Sequence, residues 1–184
     1  MRLLEVILST NRSARGSSAI EPLELDKFKG SVPLVILSCI DPRLNQLLPR
    51  VIGLPELEFI WLRNAGNVVA DSSSGAARSI ALACAIKRGR EIAIIGHTDC
   101  RVRATSVQNL LEGFNELGIV RSSLPENLVE SFGLFASERQ NVITGVDVLR
   151  RSALIGPRVP VHGLLLDVQS GKLECVVNGY DTLL

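Results

Sequence analysis

The chain has 184 residues, and its 20 lysine and arginine residues almost balance its 19 aspartate and glutamate residues, which gives a formal net charge of +1. This balance provides no strong electrostatic attraction for nucleic acid or for an anionic membrane. Five Phe, one Trp and one Tyr are too few to build a platform on which bases stack. The length predicts a single domain over residues 1–184, with a core that needs no disulfide support.

No apolar run approaches the roughly 18 residues of a membrane span, and Glu5 interrupts the apolar N-terminal stretch. The four cysteines indicate metal binding or catalysis rather than disulfides, if the compartment is reducing. We therefore expect a soluble, cytoplasmic protein with neither nucleic acid nor membrane as partner. The hydrophobic fraction of 46% also predicts a subunit interface.

The N-terminal region is predicted to form an arm over residues 1–23. A short helix begins it, and a polar stretch containing Gly and Ser follows over residues 12–20. Residues 32–38 (VPLVILS) then predict a buried strand, because they form a continuous β-branched and apolar run. After this strand, Asp41 is a candidate N-cap and Pro42 a candidate first residue of a helix.

The rest of the chain alternates between predicted strands and helices. Strands are expected over 57–64 and 91–100, helices over 71–89, 101–131 (restarting at Pro125) and 136–155, and a strand hairpin over 159–180 that turns at 169–171. Because the strands are continuous apolar runs, they predict an α/β fold of three layers, with a central, mostly parallel sheet covered by helices. Ligands of such sheets bind outside the carboxyl ends of the strands.

Three metal-ligating side chains follow two of these strands. Cys39 follows the strand over 32–38, and His97 and Cys100 stand three apart after Gly96, where the strand in the segment 91–100 is expected to end. Two thiolates and one imidazole form the ligand set of an open zinc site with a fourth position for water or substrate. Ordinary buried cysteines with a satisfied histidine are the first alternative. A closed structural zinc completed by Cys84 or Cys175 is the second, although paired CxxC spacing is absent and both fit core thiols.

Three motifs resemble those of the β-class carbonic anhydrases. They are Cys39-Ile40-Asp41-Pro42-Arg43, Arg63-Asn64-Ala65-Gly66-Asn67 and His97-Thr98-Asp99-Cys100, and the likeness covers nearly all of the chain after about residue 24. The resemblance implies a β-carbonic anhydrase-like fold and a zinc enzyme that interconverts CO2 and bicarbonate through zinc-bound hydroxide. It also implies homodimers or multiples of dimers, with the active site at the dimer interface.

Asp41 and Arg43 are the predicted catalytic residues. Arg43 can hold the Asp41 carboxylate ionised in a bidentate pair, and Asp41 can then accept a hydrogen bond from the zinc-bound water. The resemblance implies that Asp41 can also bind zinc as a fourth ligand in a closed, inactive state. A helix N-cap beside a surface arginine is the structural alternative for this pair.

Other polar residues near the motifs are expected to have supporting roles. Arg63 and Asn64 should hold loops, Asp99 should be solvated or cap a helix, and His162 should be a strand or surface histidine.

The sequence departs from the family pattern at two informative places. Arg101 stands where members have glycine after the second cysteine ligand, and Ser31-Val32-Pro33 replaces a common Gln-x-Pro. These changes leave two alternatives open: a non-catalytic relative kept for assembly or binding, and a hydrolase of carbon disulfide or carbonyl sulfide on the same site.

Overall fold

A five-stranded sheet forms the centre of the computed structural model, which describes residues 2–13, 23 and 25–183. The strands are β1 (Leu34–Cys39), β2 (Phe59–Asn64), β3 (Glu91–His97), β4 (Val161–Leu166) and β5 (Leu173–Val177). Their order across the sheet is β2-β1-β3-β4-β5, with parallel pairing except between β4 and β5. This arrangement confirms the predicted mostly parallel sheet.

Helices cover both faces of the sheet. In the described part of the chain they are α1 (Leu3–Ser13), α2 (Leu44–Ile52), α3 (Gly75–Ile86), α4 (Arg101–Ala104), α5 (Val107–Glu116), α6 (Leu128–Ser131) and α7 (Glu138–Arg151). None of the helices described is long and apolar enough to cross a membrane.

Alternate residues of β1 show why the strand is apolar throughout. Leu34 and Ile36 belong to one buried cluster, together with apolar residues of α1 and α2. Val35 and Leu37 belong to a second buried cluster with residues of α3 and α7. Because successive side chains of a strand point to opposite faces, a sheet covered on both sides needs apolar residues at every position. The two clusters confirm the predicted three-layer architecture.

The beginning of α2 differs from the prediction. The helix begins at Leu44, so Asp41 is not its N-cap and Pro42 is not its first residue. The Asp41 carboxylate instead accepts the main-chain N–H of Arg43 at 2.9 Å and binds its guanidinium. Asp41 therefore pairs with Arg43 instead of serving as the N-cap of α2.

Two other predicted segments also differ. The strand predicted as buried over 57–64 begins at Phe59, and all six of its residues are only half-buried, because β2 is an edge strand. The region 101–131 is not one restarted helix but three short α-helices and one turn of 3-10 helix. Ser106 and Asn109 form a capping box that starts α5, and the Asn127 side chain caps α6, two residues after Pro125.

The helical part of the N-terminal arm packs on its own chain. Leu3, Leu4 and Ile7 are buried in the cluster that covers one face of the sheet. Asn11 donates to the Gly171 carbonyl at 2.8 Å and accepts the Leu173 N–H at 2.9 Å, which fixes α1 to the β4–β5 hairpin. Of the predicted polar stretch over 12–20, residues 14–20 lie outside the described residues.

His162 was expected to lie in a strand or at the surface. It lies in β4 and is buried. Its Nδ1 accepts the main-chain N–H of Gly179 at 2.9 Å, so its Nε2 carries the proton and donates to Glu91 at 3.2 Å. The Tyr180 hydroxyl donates to the same Glu91 oxygen. We call Glu91, His162 and Tyr180 the buried polar network; it lies at the beginning of β3.

Candidate metal centre

The carboxyl ends of β1 and β3 lie side by side and bring three buried ligand groups together. Cys39 is the last residue of β1, His97 is the last residue of β3, and Cys100 immediately precedes α4. One ligand atom from each of these residues lies within 4.8 Å of the other two. The structure therefore brings together the three side chains that the sequence singled out as metal ligands.

The hydrogen bonds of His97 show which ring nitrogen faces this cluster. Its Nδ1 lies 2.9 Å from the Thr98 carbonyl oxygen, which can only accept, so Nδ1 carries the proton. Its Nε2 is buried and has no hydrogen-bond partner in the described part of the chain. A buried imidazole nitrogen without a donor is costly, and a metal ion at the cluster would satisfy its lone pair.

The two thiols of the cluster differ in protonation. The facing Cys100 thiol holds the pKa of Cys39 at about 4, while the neighbouring Cys39 sulfur raises the pKa of Cys100. Burial lowers the pKa of His97, but the Cys39 sulfur and the Thr98 carbonyl raise it more, and the net pKa is raised. A thiolate, a second thiol and an imidazole fit zinc, whereas magnesium and calcium prefer oxygen ligands.

Gly66 brings a main-chain donor close to the cluster. Its N–H donates to Cys39 Sγ at 3.3 Å, which favours the thiolate. Its φ angle is +74°, and a Cβ atom at this position would lie 2.8 Å from the Phe135 ring and 3.1 Å from Val102. Only glycine allows the chain to pass here in this conformation.

The Asp41–Arg43 pair lies next to the cluster but outside it. Arg43 donates from Nε to Asp41 Oδ1 at 3.0 Å and from Nη2 to Asp41 Oδ2 at 2.8 Å. This bidentate contact lowers the pKa of Asp41 to about 2. The Asp41 carboxylate is thus held ionised by Arg43, and it is not among the atoms that converge on the metal cluster.

Arg63 and Asn64 hold loops, as predicted. Arg63 donates to the Cys39 carbonyl at 3.1 Å and to the Asp41 carbonyl at 2.8 Å, and it also binds the Asn45 side chain. Asn64 exchanges two hydrogen bonds with the main chain of Val68. These contacts fix the loops that follow β1 and β2.

Sequence reasoning missed the role of Asp99. Its carboxylate accepts Arg43 Nη1 at 2.7 Å, although it was expected only to be solvated or to cap a helix. The two residues are 56 positions apart, and no local pattern signals such a contact. Arg101, the unusual residue after Cys100, is exposed at the start of α4.

Cys84 and Cys175 lie outside the metal cluster. Both are half-buried free thiols that pack against the core, as expected, and burial raises the pKa of each. In the described part of the chain, neither joins the group of side chains able to hold a metal. This arrangement gives no support to a closed structural zinc completed by either thiol.

Comparison with known proteins identifies the family. Residues 34–173 match the family model described as carbonic anhydrase. The chain is 34% identical to YvdA of Bacillus subtilis, a protein provisionally named a carbonic anhydrase, over 97% of this chain and 93% of that protein. A carbon disulfide hydrolase of Acidianus is 26% identical over 84% of each chain.

Solved structures agree with this result. The crystal structure of β-carbonic anhydrase isoform I from Trichomonas vaginalis superposes with a TM-score of 0.76 at 25% sequence identity, covering 98% of this chain and 100% of that one. The family match includes both strand ends that carry Cys39, His97 and Cys100. The chain belongs to the β-class carbonic anhydrase family.

Proposed function

We propose that this protein catalyses the reversible hydration of carbon dioxide to bicarbonate and a proton, with zinc held by Cys39, His97 and Cys100. The observation that carries the proposal is the convergence of these three ligand groups, with His97 Nε2 buried and unpaired among the described residues. Zinc, when bound, supplies a water made acidic enough to act as a nucleophile near neutral pH.

Asp41 and Arg43 orient the reacting water in this proposal. The Asp41 carboxylate is ionised and its two oxygens are fixed by Arg43, so one remaining lone pair can accept a hydrogen bond from the water. Because an ionised carboxylate cannot donate, the water must donate to it and turn a lone pair toward carbon dioxide. Binding of Asp41 to zinc in a closed state remains a prediction.

The surroundings of the cluster suit an uncharged substrate. Val102 and Phe135 pack against the core residues that include Cys39 and Cys100. Apolar side chains of this kind favour a small apolar gas over a hydrated ion and exclude competing water.

Hydrolysis of carbon disulfide or carbonyl sulfide is the second candidate activity. Its support is the 26% identity to the carbon disulfide hydrolase of Acidianus, over 84% of each chain. The same nucleophile can attack the central carbon of all three molecules, so the residues described here do not discriminate among them.

Stopped-flow assays with the three gases, on protein with measured zinc content, test these proposals. We expect the protein to hydrate carbon dioxide at a rate well above the buffer background. This activity should be lost in Cys39→Ser and kept in Cys84→Ser. Faster turnover of carbon disulfide or carbonyl sulfide would favour the second candidate. Full zinc occupancy without turnover of any gas would contradict both and support a non-catalytic assembly or binding protein.

We also propose a cytoplasmic homodimer or a multiple of dimers. The assembly is supported by the half-buried edge strand β2, whose outer side pairs with no strand in the described part of the chain, and by Leu57, which is 92% exposed just before that strand. Light scattering at micromolar concentration tests the assembly, and a monomer would contradict it.

A further inference from the structure

Asp99 connects the two segments that carry the metal ligands. It lies in the turn between His97 and Cys100, whereas its partner Arg43 follows Cys39 on the other segment. Arg43 donates from Nη1 to Asp99 Oδ2 at 2.7 Å and from Nη2 to the Asp99 carbonyl oxygen at 2.8 Å. The contact therefore has two hydrogen bonds, one to the side chain and one to the main chain.

The guanidinium of Arg43 is held on two edges. The edge formed by Nε and Nη2 binds the Asp41 carboxylate, and the edge formed by Nη1 and Nη2 binds Asp99. The Arg43 side chain is 41% exposed, so hydrogen bonds contribute to holding it in place. The Asp41 side chain is only 10% exposed and also accepts the main-chain N–H of Arg43 at 2.9 Å, so the first edge is anchored to the main chain. The hydrogen bonds to Asp99 hold the second edge, and the planar guanidinium is then fixed at both ends.

The backbone of Asp99 is adapted to this contact. Its φ angle is +55°, in the left-handed region that few residues other than glycine, asparagine and aspartate adopt readily. In this conformation its carbonyl oxygen and its carboxylate both reach the Arg43 guanidinium. The Asp99 side chain itself is 77% exposed, so burial does not explain its position.

We propose that Asp99 is a positioning residue that fixes Arg43 and, through Arg43, the orientation of the Asp41 carboxylate. Asp99 contacts neither the metal ligands' donor atoms nor the reacting water in this scheme. Its effect on turnover rests on the proposed function, whereas its effect on Arg43 does not. The proposal thus has one consequence for catalysis and one for the motion of a single side chain.

The chain offers variants that separate the carboxylate from the backbone conformation. Asp99→Gly removes the carboxylate but accepts the positive φ angle, and Asp99→Asn keeps an acceptor and also tolerates this angle. Arg88→Gly is the matched control, because Arg88 is an exposed residue with a φ angle of +59° that lies outside the metal centre. A difference between Asp99→Gly and Arg88→Gly therefore reports on the carboxylate.

Nuclear magnetic resonance of the zinc-loaded protein gives the readout that does not depend on activity. The Arg43 Nε–H signal, assigned with an Arg43→Lys variant, should exchange slowly with water in the wild type and in Arg88→Gly. It should exchange faster in Asp99→Gly and at an intermediate rate in Asp99→Asn. If the Arg43 Nε–H exchanges as slowly in Asp99→Gly as in the wild type, the proposal is overturned, whether or not the protein turns over carbon dioxide. If Asp99→Gly loses zinc, the same comparison is made with Asp99→Asn.

Steady-state kinetics then test the catalytic consequence. We expect Asp99→Gly to lower kcat for carbon dioxide hydration by about tenfold with little change in KM, at unchanged zinc content. In an Arg43→Ala background the same substitution should have no further effect, since Asp99 acts through Arg43. An equal loss of kcat in the wild-type and Arg43→Ala backgrounds would show that Asp99 does not act through Arg43, and would overturn the proposal. A wild type that is inactive but protects the Arg43 Nε–H from exchange would count against the proposed function alone.

Discussion

The Tyr180 hydroxyl donates a 2.7 Å hydrogen bond to Oε2 of Glu91, and the same hydroxyl accepts the main-chain N–H of Leu4 at 3.2 Å. Three parts of the chain meet at this hydroxyl: the 3-10 turn Gly179–Thr182, the start of β3 and the start of α1. Glu91 and His97 occupy opposite ends of β3, roughly 20 Å apart at the usual rise of a strand. The buried polar network therefore affects stability rather than the metal centre.

Tyr180→Phe should lower the free energy of unfolding by about 1–3 kcal/mol, because it leaves the Leu4 N–H without its acceptor and removes one donor from Glu91. Urea unfolding at equal zinc content measures the change. Ser79→Ala is the control, since its hydroxyl bonds only within α3, and should cost less than about 0.5 kcal/mol. An equally small effect of Tyr180→Phe, or a loss of zinc, would contradict the prediction.

Replacement of the cysteines should separate ligands from core thiols. Cys39→Ser and Cys100→Ser should lower zinc content and melting temperature together, because metal binding at two strand ends is coupled to their ordering. Cys84→Ser and Cys175→Ser should keep full zinc content, since both thiols lie outside the cluster. Metal analysis and calorimetry provide the measurement. Normal zinc stoichiometry in either of the first two variants would rule out the ligand assignment.

Zinc affinity should fall as pH falls. Binding requires neutral His97 and ionised Cys100, and in the metal-free protein the pKa of each group is raised. Cys100 then carries a proton over the whole range from about pH 6 to 8.5, whereas His97 becomes increasingly protonated as pH falls toward 6.5 and below. Each proton that zinc must displace weakens binding by about tenfold per pH unit. Competition with a chelator from about pH 6 to 8.5 measures the slope, and a flat affinity would show that no such proton is displaced.

Arg43→Ala should lower kcat/KM for carbon dioxide by about 10- to 100-fold, because the Asp41 carboxylate loses its bidentate partner. Arg139→Ala is the matched control: it removes an exposed ion pair with Glu174 and should leave the rate unchanged. Stopped-flow rates of both variants at equal zinc content decide this. Equal rates for the two would show that Arg43 does not orient Asp41 in the reaction.

The pH–rate profile of the wild type should rise through about pH 7 to 8, where a zinc-bound water titrates. Asp41 should not contribute to this limb. Its pKa of about 2 keeps it ionised, and the stabilisation it gains from Arg43 is lost only as pH falls from 3.8 toward 2. Steady-state rates from about pH 6 to 9 test this prediction, and a profile that is flat over this range would contradict it.

The sequence by itself was sufficient to predict the metal cluster. Cys39 and His97 each follow a continuous apolar run, and such runs form parallel strands whose carboxyl ends share one edge of the sheet. The three-residue spacing between His97 and Cys100 then places the second thiol close to the other two ligand groups. Both relations follow from local periodicity and from the general geometry of parallel sheets, so no knowledge of distant contacts was needed.

Only the tertiary structure decided the features that depend on distant partners. The Asp41-Pro42 pattern favours a helix cap, but the carboxylate binds the Arg43 guanidinium, which Asp99 holds from another segment, and α2 begins at Leu44. Likewise, β2 has the composition of a buried strand, and its half-buried state follows from its place at the edge of the sheet. Composition cannot encode strand order, because the order depends on which strands pair.

The same limit applies to Asp99 and His162. Each looks unremarkable within its own segment, since its hydrogen-bond partners lie 17 to 71 residues away. The free energy of a buried or bidentate contact depends on the geometry of both partners, which exists only after the strands and helices have packed. Local sequence therefore determined which groups converge as candidate metal ligands, and the packed fold determined how these groups are oriented.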